Sequence, residues 1–231
     1  MHAKIFAIDI DGTITENGGG RINLDALSAL RYMENLGHKI VFVSGRSSVE
    51  GYLLAVFAGT THIAVGENGG AITFGPINHK LLGNKQDCIN AFQLIKSKIR
   101  EVKEKAVFPR MTEVVLERTF DINQAEKIVA ENNLPVHLSD SQYAFHINSR
   151  GIDKGVGIEE VIKMLSASSK DVIAIGDSET DVPLFKISAL SIALGNASEA
   201  VKSKATMSVS GKSGEGIIEA FDRIATELSK V

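Results

Sequence analysis

Cysteine is almost absent from this 231-residue chain, in which Cys88 is the only example. A single cysteine excludes an internal disulfide and a cysteine-rich metal site. We expect Cys88 to act as a small apolar residue on a helix. A large excess of either charge is also lacking, because 25 lysines and arginines stand against 28 aspartates and glutamates, for a net charge of -3. The charge therefore gives no reason to expect a nucleic acid or an anionic membrane as a partner.

A long apolar run is missing as well. No segment of the sequence has the length and apolarity of a membrane-spanning helix, and we expect no signal peptide because a strand pattern begins at Lys4. A cytoplasmic location is the expectation that follows. Hydrophobic residues make up 44% of the chain and charged residues 23%. This balance is typical of a soluble globular protein with a substantial core.

The most informative segment is residues 5–15, IFAIDIDGTIT. Its apolar part predicts a strand buried on both faces, and Gly12 permits a sharp turn directly after it. Asp9 and Asp11 therefore lie at the carboxyl end of a core strand, where open α/β sheets bind ligands. Side chains two positions apart on a strand share a face, so these carboxylates repel unless a cation or a proton intervenes. The pair predicts a functional site.

Two later segments repeat the pattern of an apolar strand that ends in polar residues beside glycine. They are residues 39–46, KIVFVSGR, and residues 171–181, DVIAIGDSETD. The polar and glycine residues at their ends are Ser44, Gly45 and Arg46 in the first segment, and Asp177 and Asp181 in the second. Because the carboxyl ends of parallel strands meet at one edge of a sheet, we expect the chemistry to gather there. Lys154 lies between these two segments, where a helix pattern begins.

Strand and helix patterns alternate through most of the chain, which predicts an α/β fold with a doubly wound, Rossmann-like parallel sheet. The predicted strands are 4–10, 39–43, 63–65, 172–175 and 191–194. The predicted helices are one capped by Asn23, then 47–58, one after Lys154, 179–186 and 216–228. Residues 15–21 read as a polar loop close to the acids.

The pattern changes in the middle of the chain. Residues 71–82 predict a hairpin that turns at Gly75 and Pro76. The pattern beyond it predicts a helix over 85–104, a strand over 113–120, a helix over 122–132 and strands over 136–139 and 142–148. These elements suit a small sheet with helices on one side. We therefore predict a catalytic core formed by residues 1–81 and 152–231, with an inserted α+β cap over residues 82–151.

Four motifs in order resemble those of the haloacid dehalogenase superfamily. Asp9-Ile10-Asp11-Gly12-Thr13 resembles its first motif, Ser44 its second, Lys154 its third, and Gly176-Asp177 through Asp181 its fourth. The resemblance covers nearly the whole chain. The long insertion between the second and third motifs resembles the α/β cap of the branch that holds the Cof-type sugar phosphatases and phosphoglycolate phosphatases. The segments GENGG at 66–70 and LGNA at 194–197 are also similar to that branch.

The resemblance implies a role for each motif residue in phosphoryl transfer. Asp9 resembles the family nucleophile, which forms an aspartyl-phosphate, and Asp11 the acid/base. The implied magnesium site consists of Asp9, Asp11 (through its backbone carbonyl), Asp177 and Asp181. Three ways for Asp181 to take part in the metal site are open: direct binding, binding through water, or a hydrogen bond to another ligand. The alternative is that Asp181 only favours a helix dipole, without metal. Ser44 and Lys154 resemble the groups that grip the phosphate.

Several residues remain open between a functional and a structural role. Ser44 could be an ordinary cap of the following turn, Arg46 could hold phosphate or pair with Glu50, and Gly45 could donate its N–H to a phosphate oxygen. Asn68 and Asn196 could orient Asp177 or the substrate, or only form turns. In the cap, Arg110, Thr112 and Glu113 could face the substrate, with Arg110 the best candidate for a substrate carboxylate. We expect His62 and His146 at strand edges.

Three functions fit these motifs. The first is a Mg²⁺-dependent phosphomonoester hydrolase acting on a small phosphorylated metabolite. The family resemblance makes 2-phosphoglycolate the leading substrate and sugar phosphates the alternative. The second is a phosphosugar mutase, and the third is a non-enzymatic phospho-acceptor module. The size of the cap and the position of Asp11 argue against the third. A homodimer through the cap or an exposed sheet edge is also compatible with the sequence.

Overall fold

The computed structural model describes residues 3–16 and 20–228. Its strands are β1 (Ile5–Ile8), β2 (Thr15–Glu16), β3 (Arg21–Ile22), β4 (Lys39–Val43), β5 (Ala64–Gly66), β6 (Ala71–Thr73), β7 (His79–Leu81), β8 (Val114–Leu116), β9 (Val136–Asp140), β10 (Phe145–Ser149), β11 (Val172–Gly176), β12 (Leu190–Ala193) and β13 (Met207–Ser208). Its helices are α1 (Leu24–Asn35), α2 (Ser48–Ala58), α3 (Lys85–Lys98), α4 (Ile122–Glu131), α5 (Lys154–Met164), α6 (Val182–Ile187), α7 (Glu199–Lys202) and α8 (Ser213–Leu228). None of the helices in these described ranges has both the length and the apolarity needed to cross a membrane.

The main sheet has eight strands in the order β13-β12-β11-β1-β4-β5-β6-β7. The strands from β13 to β5 pair in parallel, and β6 and β7 extend the sheet as an antiparallel hairpin. β1 lies between β11 and β4, with Ile8 opposite Ile175 on one side and Phe42 on the other. The chain thus leaves β1 in one direction and later returns on its other side, which creates a cleft at the carboxyl ends. This confirms the predicted doubly wound α/β core.

Alternation along β1 explains why helices cover both faces of the sheet. Phe6 and Ile8 belong to one buried cluster, which includes residues of α1 and α8. Ile5 and Ala7 point the other way, into a second cluster that includes residues of α5 and α6. Successive side chains of a strand face opposite sides, so a strand that is apolar throughout needs cover on both. The end of β1 is thereby fixed from two sides.

A second sheet lies in the predicted cap, with strand order β8-β10-β9 and antiparallel pairing. Phe145 and Ile147 of β10 join a separate apolar cluster with residues of α3 and α4. His146 and Asn148 therefore occupy the opposite face, and Asn148 donates a hydrogen bond of 3.3 Å to the carbonyl of Glu67 in the core. The polar face of the cap sheet is thus directed at the core. The proposed cap boundaries of 82–151 stay a prediction.

The predicted helix over 85–104 is too long, because α3 ends at Lys98. Ile99 has an extended backbone (φ -122, ψ 108) and Ile99 and Val102 are both buried. Beyond them the chain follows β8, since Lys105 N–H donates to the carbonyl of Val115. The last part of the predicted helix is thus a segment held by tertiary contacts with β8.

Other boundaries also differ from the sequence prediction. The predicted loop over 15–21 contains the paired strands β2 and β3, with residues 17–19 outside the described ranges. The strand predicted over 113–120 shortens to β8, and the helix predicted over 179–186 divides into a 3₁₀ turn, Glu179–Asp181, and α6. β13 and α7 were missing from the prediction. His146 lies on the central strand of the cap sheet and is buried, so the expected edge position is wrong for it.

Candidate active site

Three carboxylates meet at the carboxyl ends of β1 and β11. Asp9 follows β1 directly and its N–H donates to the carbonyl of Ile175 in β11. Asp177 follows β11, and Asp181 ends the 3₁₀ turn beyond it. One oxygen from each of the three lies within 4.8 Å of the others. The sheet thus brings together side chains that are separated by more than 160 positions in the sequence.

Lys154 is the cation that faces this cluster. It is the first residue of α5 and is only 2% exposed. Its Nζ lies 2.7 Å from Oδ1 of Asp9 and 2.6 Å from Oδ1 of Asp181. Burial alone would lower the pKa of Lys154, but the attraction of Asp181 and Asp9 outweighs it and raises the pKa. Lys154 therefore keeps its proton and binds two acids at once.

One lysine does not neutralise three acids. Burial raises the pKa of Asp9 well above its ordinary value, and the charges of Asp181 and Asp177 add to the effect against the opposing charge of Lys154. Burial and the charge of Asp181 raise the pKa of Asp177 from 3.8 to about 6. A group of clustered oxygen ligands with unneutralised charge is the donor set that hard divalent cations prefer. The cluster therefore fits a metal ion.

Asp177 is held in position for metal binding by groups from two segments of the chain. Thr13 Oγ1 donates to its Oδ1 at 3.2 Å, and Asn196 Nδ2 donates to its Oδ2 at 2.6 Å. Asn196 also donates to the carbonyl of Gly12 at 2.9 Å. Asn196 therefore orients Asp177, which is one of the roles that the sequence left open for it. Gly12 has a φ of +81, and a Cβ there would lie 2.4 Å from Asp177 Oδ2. Only glycine combines this conformation with this approach.

Asp181 has both of its oxygens engaged by the protein. Oδ1 accepts from Lys154, while Oδ2 accepts from the N–H groups of Asp177 and Ser178 and from the Ser178 hydroxyl, at 2.9–3.1 Å. The residue is fully buried. This arrangement makes Asp181 the support of the Asp177 turn and of the Lys154 ammonium. Among the roles that the sequence left open, an indirect one fits these contacts best.

Asp11 points to a different partner from Asp9. Arg46 donates to both of its oxygens, from Nε at 2.8 Å and from Nη2 at 2.7 Å. Arg46 also donates to Glu50 from Nη1 at 3.1 Å, so it pairs with Glu50 as one alternative predicted. The hydrogen bonds that Arg46 donates to Asp11 raise the pKa of Arg46 and exceed the opposing effect of burial. The side chain of Asp11 is therefore turned to Arg46, away from the three-carboxylate group.

Ser44 and Gly45 occupy the adjacent end of β4. Ser44 is buried, and its Oγ accepts from the N–H of Arg46 at 3.0 Å, which leaves its own proton to donate. The amide of Asn68 packs against Gly45, where an added Cβ would lie 3.2 Å from Asn68 Oδ1. Ser44 thus shares the predicted edge of the sheet with Asp9, since β4 and β1 are neighbours.

Arg110 of the predicted cap reaches this region from the other side. Its side chain is only 7% exposed, so it is not a surface arginine; it lies 3.7 Å from Glu50 and 3.4 Å from Glu113. Glu113 in turn accepts from Asn148 Nδ2 at 3.0 Å and contacts His146 Nδ1 at 2.9 Å. Alternating charges therefore run without a break from the core into the cap. They are Asp11, Arg46, Glu50, Arg110 and Glu113.

Glu67 is a buried residue of this region that sequence reasoning missed. Its carboxylate accepts from the N–H groups of Met111 and Thr112 and from the Thr112 hydroxyl, at 2.7–3.0 Å. Thr112, which the sequence offered as a residue that faces the substrate, contacts Glu67 of the core. Two sequence signals for a polar contact between core and cap were available. One is the Glu-Asn-Gly-Gly segment, and the other is the alternation of His146 and Asn148 with apolar neighbours on β10.

Buried polar atoms that lack a hydrogen-bond partner collect in this same region. Within the described residues they belong to four side chains: Asn68 (Oδ1 and Nδ2), Arg110 (Nε and Nη1), Glu113 (Oε1) and Asn148 (Oδ1). Buried polar groups are satisfied in nearly all proteins, by protein groups or by water, so a cluster of exceptions makes this region a candidate for binding a polar molecule. The group connects the core beside Gly45 to the cap beside Arg110.

Comparison with known proteins agrees with this architecture. The family model for haloacid dehalogenase-like hydrolases matches residues 6–96 and 84–221. The chain belongs to the haloacid dehalogenase-like hydrolases, as its four motifs predict.

Individual relatives cover almost the entire chain. A phosphoglycolate phosphatase of Nitrosopumilus maritimus (strain SCM1) is 62% identical over 231 residues, 100% of both chains. A phosphoglycolate phosphatase of Methanothrix thermoacetophila is 34% identical over 218 residues, 94% of this chain and 95% of the other. The crystal structure of Thermoplasma acidophilum 0175 has a TM-score of 0.86 at 22% identity and covers 96% of this chain and 98% of that one. That structure supports the fold.

The raised pKa of Asp177 predicts how pH affects the stability of the metal-free protein. The folded state holds this proton up to about pH 6, whereas the unfolded chain releases it near 3.8. Stability therefore falls as pH rises through this window. A divalent cation reverses the trend at neutral pH, because it binds the ionised carboxylates of the folded state only. Thermal unfolding in EDTA and in Mg²⁺ at pH 4.5 and pH 7 checks this, and an equal Mg²⁺ effect at both pH values would contradict it.

The contacts of Asp177 and Asp181 predict that alanine at these two positions has different effects. Asp177→Ala should raise the Mg²⁺ concentration needed for half-maximal activity sharply, with little loss of stability. Asp181→Ala should lower the free energy of unfolding more, by about 3–5 kcal/mol, because it removes one partner of a buried ion pair. Mg²⁺ titration and urea unfolding of both variants measure the contrast. The reverse ranking of stabilities would contradict the supporting role of Asp181.

Proposed function

We propose that the chain is a Mg²⁺-dependent phosphomonoester hydrolase that converts 2-phosphoglycolate to glycolate and phosphate. The observation that carries the proposal is the group of Asp9, Lys154, Asp177 and Asp181 at the carboxyl ends of β1 and β11. The relatives named above support the choice of substrate, because they carry the name phosphoglycolate phosphatase and match almost the full chain. Hydrolysis is favoured over mutase and phospho-acceptor functions because the matched family consists of hydrolases.

In this proposal Asp9 is the nucleophile and Asp11 the acid/base. An oxygen of Asp9 bonds to phosphorus while the bond to the alkoxide of the substrate breaks, and Asp11 gives that alkoxide a proton. Asp11 then takes a proton from water, which attacks phosphorus and releases phosphate from Asp9. Both oxygens of Asp11 accept from Arg46 in the structure, so in this proposal Asp11 leaves Arg46 and carries a proton when it faces the substrate.

Lys154, Ser44 and the N–H of Gly45 hold the phosphoryl group. The Lys154 ammonium, held beside Asp9 at 2.7 Å, offsets the negative charge that gathers on the phosphoryl oxygens. The Ser44 hydroxyl accepts from Arg46 and so directs its own proton elsewhere, toward an anion at the sheet edge. Arg46 contributes positive charge to the same region while it holds Asp11.

Asp9, Asp177 and the backbone carbonyl of Asp11 would hold the metal, with Asp181 in support. The clustered carboxylates and their raised pKa values fit a divalent ion, and Mg²⁺ is the ion that the family resemblance implies. When bound, Mg²⁺ would supply the charge that keeps these carboxylates ionised and would orient the phosphate for attack.

We also propose that the protein acts in the cytoplasm. The homodimer stays a prediction. The three residues of the edge strand β7 are all exposed, which supports a dimer interface at this edge of the main sheet. Sedimentation analysis at several protein concentrations decides between monomer and dimer.

Asp9→Asn should abolish turnover and leave the fold intact, because asparagine has the same shape but cannot act as the nucleophile. The test compares phosphate release from 2-phosphoglycolate with release from a panel of sugar phosphates, in Mg²⁺ and in excess EDTA. Wild-type protein should prefer 2-phosphoglycolate and lose activity in EDTA. Asp9→Asn should retain the wild-type circular dichroism spectrum. More than about a tenth of wild-type kcat in this variant would reject the nucleophile assignment.

Arg110→Ala should lower kcat/KM for 2-phosphoglycolate. The loss should correspond to about 1.5–3 kcal/mol of transition-state stabilisation, the usual cost of losing a hydrogen bond to a charged group. The substitution should change the hydrolysis of p-nitrophenyl phosphate little, because that substrate has no carboxylate. Arg118→Ala is the matched control, since Arg118 also lies in the cap but pairs with Asp140. Equal losses on both substrates would indicate a folding or closure defect, and no loss on either would remove Arg110 from the site.

A further inference from the structure

The turn after β5 joins the core to the cap through two residues in an unusual conformation. Glu67 and Asn68 have φ values of +55 and +53, in the left-handed region that favours glycine. Asparagine tolerates this region, but glutamate does not favour it. Strained residues of this kind persist only where the surrounding contacts hold them, and they concentrate at functional sites. The contacts of the turn therefore indicate what it does.

The backbone of this turn is tied to the proposed phosphate-binding residues. The N–H of Glu67 donates to the carbonyl of Arg46 at 2.7 Å, and the N–H of Asn68 donates to the carbonyl of Ser44 at 3.1 Å. The position of Glu67 is thus fixed relative to the end of β4.

The side chain of Glu67 is tied to the cap. Its carboxylate is fully buried, and its partners are the N–H groups of Met111 and Thr112 and the Thr112 hydroxyl. These donors directly follow Arg110 in the chain. Hydrogen bonds to an ionised acceptor are shorter and stronger than neutral ones. One residue therefore links the strand end that carries Ser44 and Arg46 to the segment that carries Arg110.

The side chains beside this link have unsatisfied polar atoms. Asn68 has both amide atoms buried without a partner next to Gly45. Two guanidinium nitrogens of Arg110 face the carboxylates of Glu113 and Glu50 at 3.4 and 3.7 Å but make no hydrogen bond. A substrate whose phosphate lies at Ser44 and Gly45 would meet Asn68 on the core side and Arg110 on the cap side. The spacing between its phosphate and its second polar group is then set by the link.

We propose that Glu67 is a positioning residue for substrate specificity, which fixes Arg110 at the distance where it reads a carboxylate close to the phosphate ester. The proposal rests on the proposed function and adds the part of the chain that selects the leaving group. Glu67 itself does not touch the substrate. It acts through Arg110, so its removal should matter only while Arg110 is present.

Glu67→Gln is the variant that tests this role, because it keeps the shape and removes the charge. The matched control is Glu34→Gln. Glu34 also accepts from a backbone N–H and a threonine hydroxyl, those of Ile40 and Thr61, but it lies on α1 in the core. The two substrates are 2-phosphoglycolate and 2-hydroxyethyl phosphate, which differ by a carboxylate against a hydroxymethyl group. The readout is the ratio of their kcat/KM values.

Glu67→Gln should lower this ratio by about 10- to 100-fold, the scale of a displaced charge-assisted contact, while kcat/KM for 2-hydroxyethyl phosphate changes only a few-fold. Glu34→Gln should leave the ratio unchanged. In a background of Arg110→Ala, Glu67→Gln should cause no further loss of the ratio, because residues that act as one unit are not additive. An additive loss, or an unchanged ratio in the single variant, would overturn the proposal.

Hydrogen exchange gives a readout that is independent of activity. The amides of Met111 and Thr112 should exchange faster in Glu67→Gln than in wild type, and equally in Glu34→Gln and wild type. Unchanged protection of these amides would also overturn the proposal. A wild-type enzyme that hydrolyses both substrates with equal kcat/KM overturns the positioning role and leaves the hydrolase proposal standing. Wild-type protein that is inactive on every phosphomonoester in Mg²⁺ overturns the proposed function and the positioning role with it.

Discussion

The structure depends on the placement of one buried ammonium group between two buried carboxylates. Lys154 contacts Asp9 from β1 and Asp181 from the turn after β11, so it joins two strand ends and the start of α5. Removal of Lys154 would leave two carboxylates unpaired in the interior, which costs far more than an ordinary contact. The negative charge that Lys154 leaves unneutralised is the electrostatic reason for a cation at this place. Burial and the charge of Asp181 together raise the pKa of Asp177.

A second set of buried charges connects the chemistry to its selectivity. From Asp11 the alternating charges pass through Arg46 and Glu50 to Arg110 of the cap. Each charge stabilises the next, and Glu50 is also fixed at the start of α2, where it accepts from the N–H of Ser47. Low-dielectric networks of this kind are stable only when their members are satisfied. A cleft that leaves some members unsatisfied is therefore prepared for a polar ligand.

Core and cap contribute different kinds of precision. In the core the reactive groups follow strands whose positions are fixed by sheet hydrogen bonds and by apolar packing on both faces. In the cap Arg110 lies in a segment without regular structure. Glu67 binds the two residues that follow Arg110, and Glu113, which contacts Arg110, accepts from Asn148 on the polar face of β10. This division lets one catalytic core serve different leaving groups, because a change in the cap leaves the strand ends intact.

The sequence by itself determined the α/β core and the residues at its strand ends, because apolar runs, glycines and acids at fixed spacing are local signals. Asp9, Ser44, Lys154 and Asp177 lie where those signals predict. Only the tertiary structure decided which groups pair across long distances. The contact of Glu67 with Thr112, for example, joins residues 45 positions apart, and no spacing rule predicts it. The same reason explains the early end of α3, where burial and pairing with β8 prevailed over helical periodicity.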